Sequence, residues 1–209
     1  QFWVLKRFRV LCEDNMRRKL YLTLFLSLVF STFAGAQKVA IKTNLLYDAT
    51  STVNLGLEFG LAPRWTMDIS GNYNPWTLQN NRLIRHAIVQ PEVRYWFCDR
   101  FSRHFLGIPA LGGIYNVGNL PLDFKWLWLD LSPLQDHRFE GWGVGGGLAY
   151  GYDLILGKHW NLEFEIGVGY IYSRYNEFQC IECGKKLAEN VPVHYVGPTK
   201  AAISLVYLF

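Results

Sequence analysis

Two cysteines near the end of the chain have a spacing that could support metal or redox chemistry. Cys180 and Cys183 form the only Cys-x-x-Cys in the sequence. Zinc takes about four ligands, and Cys98 is isolated, Cys12 lies far upstream, and His194 would leave the site a ligand short. A thioredoxin-like role would need a βαβ setting. In an exported protein the pair favours a disulfide, with free thiols and a bound metal as alternatives.

Hydrolytic chemistry would need a nucleophile, a histidine and a carboxylate close together. Asp136 and His137 fall in one predicted connection, and Ser173 and His194 in another. No spacing marks these residues as a unit. Polar residues in long connections usually belong to the solvated surface. We therefore predict no enzymatic activity, no catalytic or metal-binding residues and no cofactor. A membrane lipid-modifying enzyme, an acyltransferase or esterase, is the alternative.

Charged residues recur at alternate positions between apolar ones, which places them on one face of extended segments. If that face lines a closed interior, the charges must pair with one another, because a buried unpaired charge is costly. The sequence predicts an interior charge network, with a narrow cation channel as the alternative because acids are in surplus. Its members are Lys42, Asp48, Glu58, Asp68, Glu92, Arg94, Glu163, Glu165 and Lys200.

The elements that would position these charges are strands. In the segment 160–170, Trp160, Leu162, Phe164, Ile166, Val168 and Tyr170 share one face, opposite polar residues and glycines. The same period of two predicts strands at 38–48, 53–61, 65–73, 141–153 and 200–209, and more weakly at 86–97 and 104–116, which contain Pro91 and Pro109. Aromatic residues recur at the strand ends, as in the girdles of membrane barrels. The predicted fold is all-β, an eight-stranded antiparallel up-and-down transmembrane β-barrel.

The predicted connections are unequal in length. Those at 62–64, 98–103 and 154–159 are short, whereas those at 74–84, 118–140 and 173–198 are long, an asymmetry typical of outer-membrane barrels. The connection at 118–140 contains Phe124, Trp126 and Trp128 among other apolar residues. Exposed apolar patches often mark a contact with a partner. We predict a partner-contact loop there. The alternative is that the loop packs on itself over the barrel mouth or extends the strands beyond the bilayer.

The start of the chain has the pattern of a secretory signal. Met16 is followed by three basic residues, 17–19. An apolar run extends from Leu20 to Phe33, and residues 34–36 are Ala-Gly-Ala. A basic segment, a short apolar run and a small-residue site predict a signal peptide at 16–36, cleaved after Ala36. An uncleaved anchor is the alternative. Residues 1–15 are interpreted as an over-extended gene prediction, and 37–209 as one domain.

The net charge of the chain comes from its start. The whole sequence carries +4, and residues 1–36 hold six basic and two acidic residues, so residues 37–209 are neutral. A neutral domain does not favour nucleic-acid binding. The predicted partners are instead outer-membrane lipid, barrel-insertion machinery and a surface protein.

The chain's last segment is an amphipathic strand with aromatic residues at its end. Tyr207 and Phe209 lie on its apolar face. This arrangement resembles the C-terminal insertion signal of outer-membrane β-barrels. Together with the signal peptide, it predicts location in the outer membrane of a Gram-negative cell.

Two opening segments carry a resemblance to a known family. Residues 42–49, Lys-Thr-Asn-Leu-Leu-Tyr-Asp-Ala, and residues 54–58, Asn-Leu-Gly-Leu-Glu, resemble small outer-membrane β-barrels of unknown function from Bacteroides-type bacteria, some encoded near fimbrial genes. The similarity extends over nearly all of 37–209, through Arg94-Tyr95-Trp96, the glycine-rich sixth strand and Phe209, although Ser204 stands where the general insertion signal often has glycine. It implies a non-enzymatic barrel, either structural or accessory to surface assembly and adhesion in association with fimbriae. It carries no catalytic residues to transfer.

Overall fold

The computed structural model describes residues 38–78, 81–120, 125–126, 129–130, 132–179 and 184–209. In these ranges the chain is almost entirely extended. The strands are β1 (Val39–Asn44), β2 (Val53–Ala62), β3 (Trp65–Asn74), β4 (Thr77–Leu78), β5 (Arg82–Trp96), β6 (Arg103–Gly118), β7 (Lys125–Trp126), β8 (Leu129–Asp130), β9 (Arg138–Ile155), β10 (Trp160–Phe178) and β11 (Lys186–Leu208). One short helix, α1 (Leu45–Ala49), and a 3-10 helix, Ser132–Gln135, interrupt them.

Eight of these strands form one ring-like sheet. The order is β1-β2-β3-β5-β6-β9-β10-β11, every neighbouring pair is antiparallel, and β11 returns to β1 through pairs such as Ile41 with Tyr207. The prediction of an all-β chain with eight antiparallel strands is confirmed. No helix in the described part of the chain is both long enough and apolar enough to cross a membrane.

The first predicted strand ends earlier than its alternation suggested. Asn44 caps α1, since its side chain accepts a hydrogen bond from the Leu46 amide at 3.1 Å. The backbone N–H of Asn44 donates a hydrogen bond to Asn54 Oδ1 at 2.6 Å. Placing Asp48 on the interior face was therefore wrong. It is exposed on α1, where it accepts hydrogen bonds from Thr43 and Asn54.

The predicted connection at 173–198 was also wrong, because most of it is strand. β10 continues to Phe178 and β11 begins at Lys186, so only 179–185 connects them. Register shifts opposite Gly167 and near Tyr175 break the period of two along β11, where Thr199 lies unpaired between Pro198 and Lys200. Pro192 and Pro198 also argue against a strand when the sequence is read alone. Over 186–203, however, β11 pairs with β10 alone among the described strands, and proline is tolerated at such an open edge.

The sheet has a polar interior and an apolar exterior. Along β10, Glu163 and Glu165 are buried inside, whereas Ile166 is 70% exposed on the outside. On the other strands, Ile108 is 63% and Leu148 is 64% exposed. This is the reverse of a water-soluble protein, in which large apolar side chains are preferentially buried.

One end of the ring is filled by an apolar cluster. We call it the end cluster: Ala40, Trp96, Phe101, Phe105 and Val206, all buried, with Leu208 packed against it. It lies at the end where the connections are the short ones at 63–64, 97–102 and 156–159. The indole of Trp96 donates a hydrogen bond to Thr66 at 2.8 Å, so its one polar group is paired.

Candidate functional site

Eight charged side chains from six strands meet inside the ring. We call them the interior charge network: Lys42, Glu58, Asp68, Glu92, Arg94, Glu163 and Glu165, which are buried, and Lys200, which is half-buried. Alternation alone positions each of them, because every second side chain of a strand points to the same face. The structure thus brings together every predicted interior charge except Asp48.

Arg94 is the centre of this network. It is 1% exposed, and its guanidinium lies 2.9 Å from Glu58, 2.8 Å from Glu163, 2.7 Å from Glu165 and 3.2 Å from Glu92. A guanidinium carries five N–H donors in a planar fork, which allows one side chain to serve several carboxylates. No other described cation has as many partners inside the ring.

Two lysines complete the pairing. Lys42 contacts Glu58 and lies 3.3 Å from Glu163. Lys200 lies 2.9 Å from Glu165 and also contacts Glu92. Each lysine thereby joins two carboxylates that also contact Arg94, so the charges form one connected system.

Asp68 is the least well paired member. It is 3% exposed, and its ion pairs are long, at 3.4 Å to Lys42 and 3.6 Å to Arg94. Its Oδ1 accepts no hydrogen bond from the described residues. The network holds five carboxylates against three cations, so its fully ionised form carries a net charge of −2.

A cavity of about 490 Å³ extends from the network toward α1. Leu46, Tyr47 and Ile84 contribute apolar surface to its wall, and Asp68 and Lys200 are among the charged residues at its base. Burial raises the pKa of the Tyr47 hydroxyl, against a smaller opposing effect of Lys200, so this phenol stays protonated at neutral pH. The cavity wall thus combines apolar surface with three cations, Lys42, Arg94 and Lys200, and three carboxylates, Asp68, Glu163 and Glu165.

The network separates this cavity from the end cluster. The guanidinium carbon of Arg94 lies 4.5 Å from the centroid of the Phe105 ring, a cation–π distance. Phe105 packs in turn against Trp96 with ring centroids 4.7 Å apart. Moving along the interior, a solute would meet ion pairs and then packed aromatic rings.

The residues considered for hydrolysis do not form a unit. Ser173 bonds with the Tyr115 hydroxyl at 2.7 Å and donates to the carbonyl of Trp142 at 2.9 Å, whereas His194 bonds with Tyr170. The pairing of Tyr172 with His194 places this histidine on the outer face, opposite to Ser173. His137 pairs with Glu177 instead.

Several predicted site residues lie outside the described residues. They are Cys180, Cys183, Phe124 and Trp128; Trp126 belongs to β7, but its side chain is not among those described. Tyr207 lies on the outer face of β11, with its ring 5.0 Å from Trp160 and 5.1 Å from Phe209 between centroids. In the described part of the chain, no three His, Cys, Asp or Glu residues are placed to hold a metal.

Sequence reasoning missed a second buried polar pair. Asn161 donates to Asp153 at 2.7 Å and to the carbonyl of Phe101 at 3.1 Å, and both side chains are buried. Asn161 lies two positions before Glu163 on β10 and therefore shares its inner face. This alternation could have identified Asn161 from the sequence. His86, which lines the cavity, had no comparable signal, because its strand was predicted to begin there.

The comparisons with known proteins give one match. A family model described as "protein of unknown function (DUF3575)" matches residues 22–209, about nine tenths of the chain. No curated protein and no solved structure has a significant match to it.

Proposed function

We propose, for a chain that belongs to the DUF3575 family of proteins of unknown function, that its ring of strands is a transmembrane β-barrel of the outer membrane. In this proposal residues 16–36 are the cleaved signal peptide. Tyr207 and Phe209 are recognised by the barrel-insertion machinery. The short connections face the periplasm, and the connections at 75–81, 119–137 and 179–185 face outward.

The observation that carries the proposal is the apolar outer face. Leu55, Ile108, Leu148, Ile166 and Val168 are each more than half exposed. A soluble monomer rarely exposes contiguous apolar surface beyond a few hundred Å². Lipid removes this cost, since membrane barrels face an apolar band toward the hydrocarbon and keep polar residues inside.

Paired aromatic rings support the same proposal. Near the short connections, Trp65 contacts Tyr95 with centroids 5.1 Å apart, and Trp160 contacts Tyr207. Toward the other end, Trp142 contacts Tyr172 at 5.9 Å. Tyr and Trp prefer the interface between lipid and water, where one end of the ring is apolar and the other wet.

Within the membrane, we propose a non-enzymatic role, structural or accessory to surface assembly and adhesion with fimbriae. The separation of Ser173 and His194 onto opposite faces speaks against the lipid-modifying alternative. The end cluster speaks against a narrow channel, because packed rings fill the interior where ions would pass. The surface for a protein partner is the segment containing Phe124, Trp126 and Trp128.

Replacement of Ile166 by arginine tests the membrane proposal. Ile166 is 70% exposed, so arginine would change the free energy of unfolding little if water surrounded it. At the centre of a bilayer, arginine costs about 2–4 kcal/mol, falling to about 0–1 kcal/mol near the interfaces. For the protein in lipid vesicles, we expect Ile166→Arg to lower the free energy of unfolding by about 2–4 kcal/mol.

The matched control is Leu156→Arg, in the short connection after β9, where the side chain is 57% exposed. We expect this variant to lose less than about 1 kcal/mol. Equal, small effects at both positions would contradict membrane insertion at Ile166.

The accessory role is tested by affinity capture from intact outer membranes. We expect the natural chain to recover a surface protein, and a variant with Phe124, Trp126 and Trp128 changed to serine to lose it while retaining its membrane location. Failure of the natural chain to recover any surface protein would count against this role and leave a structural one.

A further inference from the structure

We propose that a groove on the outer face of the sheet binds a phospholipid with a phosphoethanolamine headgroup, its phosphate at Arg85 and its ammonium group at Glu140. The site rests on the proposed membrane function, because that function surrounds this face of the ring with lipid. A preference for one headgroup goes further, since membrane insertion alone does not require it.

The groove has a volume of about 480 Å³ and extends from β3 to β10. It lies on two neighbouring rows of outward side chains, separated by an inward row that contains His86 and Tyr115. The row nearer the short connections is Tyr73, Ala87, Ile114 and Trp142, and the row farther out is Arg85, Asn116, Glu140 and Asn176. The groove therefore has an apolar side and a polar side.

The apolar side contains a depression. Ala87 has the smallest side chain of its row. In the next outward row toward the short connections, Val89 is flanked by Gly71 and Gly112. A Cβ at the first glycine would meet no atom within 4 Å, and one at the second only the Val144 side chain at 3.9 Å. The depression thus continues on both sides of Val89, as two troughs suited to two hydrocarbon chains.

The polar side carries one charge of each sign. Among the described residues that line the groove, Arg85 is the only Lys or Arg and Glu140 the only acid. Arg85 Nη2 donates a hydrogen bond to Thr77 at 2.9 Å, which orients a guanidinium that has further N–H donors. Glu140 has a long ion pair with Arg138, at 3.9 Å. The groove thus offers donors for an anion and a carboxylate for a cation.

The spacing of these charges favours a headgroup that carries both signs. Arg85 pairs with Asn116, which pairs in turn with Glu140, so two strand spacings, about 10 Å, separate the two backbones. Guanidinium groups bind phosphate, and a primary ammonium donates to a carboxylate. Phosphatidylethanolamine has both groups, whereas phosphatidylglycerol has the same phosphate followed by a neutral glycerol. Glu140 therefore selects the first lipid over the second.

The level of the groove suits a headgroup. Trp142 belongs to the outward aromatic pair with Tyr172, and such rings prefer the interface between lipid and water. Arg85 and Glu140 lie one outward row beyond that level, on the water side. Ala87 lies at the level of Trp142, and the troughs beside Val89 extend toward the hydrocarbon.

The test is native mass spectrometry of the full-length protein, released from detergent after incubation with equimolar dioleoyl-phosphatidylethanolamine and dioleoyl-phosphatidylglycerol at pH 7. We expect one bound lipid per chain. The ethanolamine lipid should exceed the glycerol lipid by about five-fold, the upper end of what one exposed ion pair contributes. Equal retention of both lipids, or retention of neither, would overturn the proposal.

Charge variants assign the two ends of the headgroup. Glu140→Gln keeps the side-chain shape, and we expect it to abolish the preference for the ethanolamine lipid. Glu189→Gln, at an exposed position on β11, should keep the preference. Arg85→Gln should lower retention of both lipids, because both have the phosphate. An unchanged preference in Glu140→Gln would contradict the assignment.

A second pair of variants tests the depression. Ala87→Leu fills it and should lower retention of both lipids. Ala110→Leu makes the same change elsewhere on the outer face and should retain them as the natural chain does. Equal retention by these two variants would show that the lipid lies elsewhere.

Failure of this site is distinguishable from failure of the membrane proposal. Equal retention of the two lipids, together with the expected cost of Ile166→Arg in vesicles, would overturn the headgroup site alone. The absence of that cost at Ile166 would remove the membrane proposal and the lipid site with it.

Discussion

At the scale of single residues, the interior of the ring depends on one guanidinium. Arg94 contacts carboxylates contributed by β2, β3, β5 and β10. Lysine could not replace it, because a single ammonium lacks the planar fork that reaches several carboxylates at once. Substitution of Arg94 therefore tests how strongly the buried carboxylates depend on this partner.

Removal of Arg94 should destabilise the fold strongly. Arg94→Met keeps much of the side-chain volume but leaves four glutamates short of a partner, and breaking a buried ion pair from one side costs about 3–5 kcal/mol. We expect a loss of that size in the free energy of unfolding, measured by urea titration in detergent.

The control for this substitution is Arg82→Met, at an exposed position on β5, where the expected change is within about 0.5 kcal/mol. Arg94→Lys should fall between the two, because it keeps the charge but loses donors. An Arg94→Met protein as stable as the control would show that the network contributes little.

At the scale of elements, neighbouring strands leave room for specific side chains. Gly107 on β6 pairs with Arg94 on β5. A Cβ at position 107 would overlap the Glu92 carboxylate, whose Cδ would lie 2.8 Å away. Because Lys200 and Arg94 both hold this carboxylate, it cannot move aside without breaking an ion pair.

Gly107→Ala should therefore be destabilising although it adds only one methyl group. Overpacking of a filled interior costs about 1–3 kcal/mol, and we expect an effect in that range on the free energy of unfolding. Gly71→Ala on β3 is the matched control, since a Cβ there meets no atom within 4 Å. Similar stabilities for both variants would mean that Glu92 can relocate.

At the scale of the whole molecule, closure of the ring has a direct consequence for gel mobility. Every main strand has a hydrogen-bonded neighbour on each side over part of its length, and a closed sheet leaves no free edge there from which unfolding can start. We expect the protein from outer membranes to migrate differently with and without boiling. Identical mobility, with protein released in soluble form, would contradict a membrane barrel.

Proteolysis of intact cells should report the orientation. We expect cleavage in 119–137 or 179–185, the outward connections of the proposal, while the turns at 63–64 and 97–102 remain uncut. Cleavage confined to those short turns would reverse the orientation. The paired residues 173–178 and 186–198, predicted from sequence to be a loop, should resist protease because β10 and β11 bond to each other there.

The sequence by itself determined which side chains share a face. The period of two is a property of the extended backbone, so it predicted eight strands and the inward direction of Arg94 and its partners without knowledge of the ring. It failed where local hydrogen bonds or bulges override the period, at the Asn44 cap and at Thr199 on β11, opposite Gly167.

Only the tertiary structure decided which of these residues meet. Arg94 and Glu165 are separated by 71 positions in the chain, and register and ring closure bring them within 2.7 Å. The cavity beside Asp68 and the end cluster around Trp96 likewise arise from side chains of several strands. Alternation specifies a direction for each side chain, whereas contact depends on how far each strand is shifted against its neighbours, and no single strand's sequence carries that information.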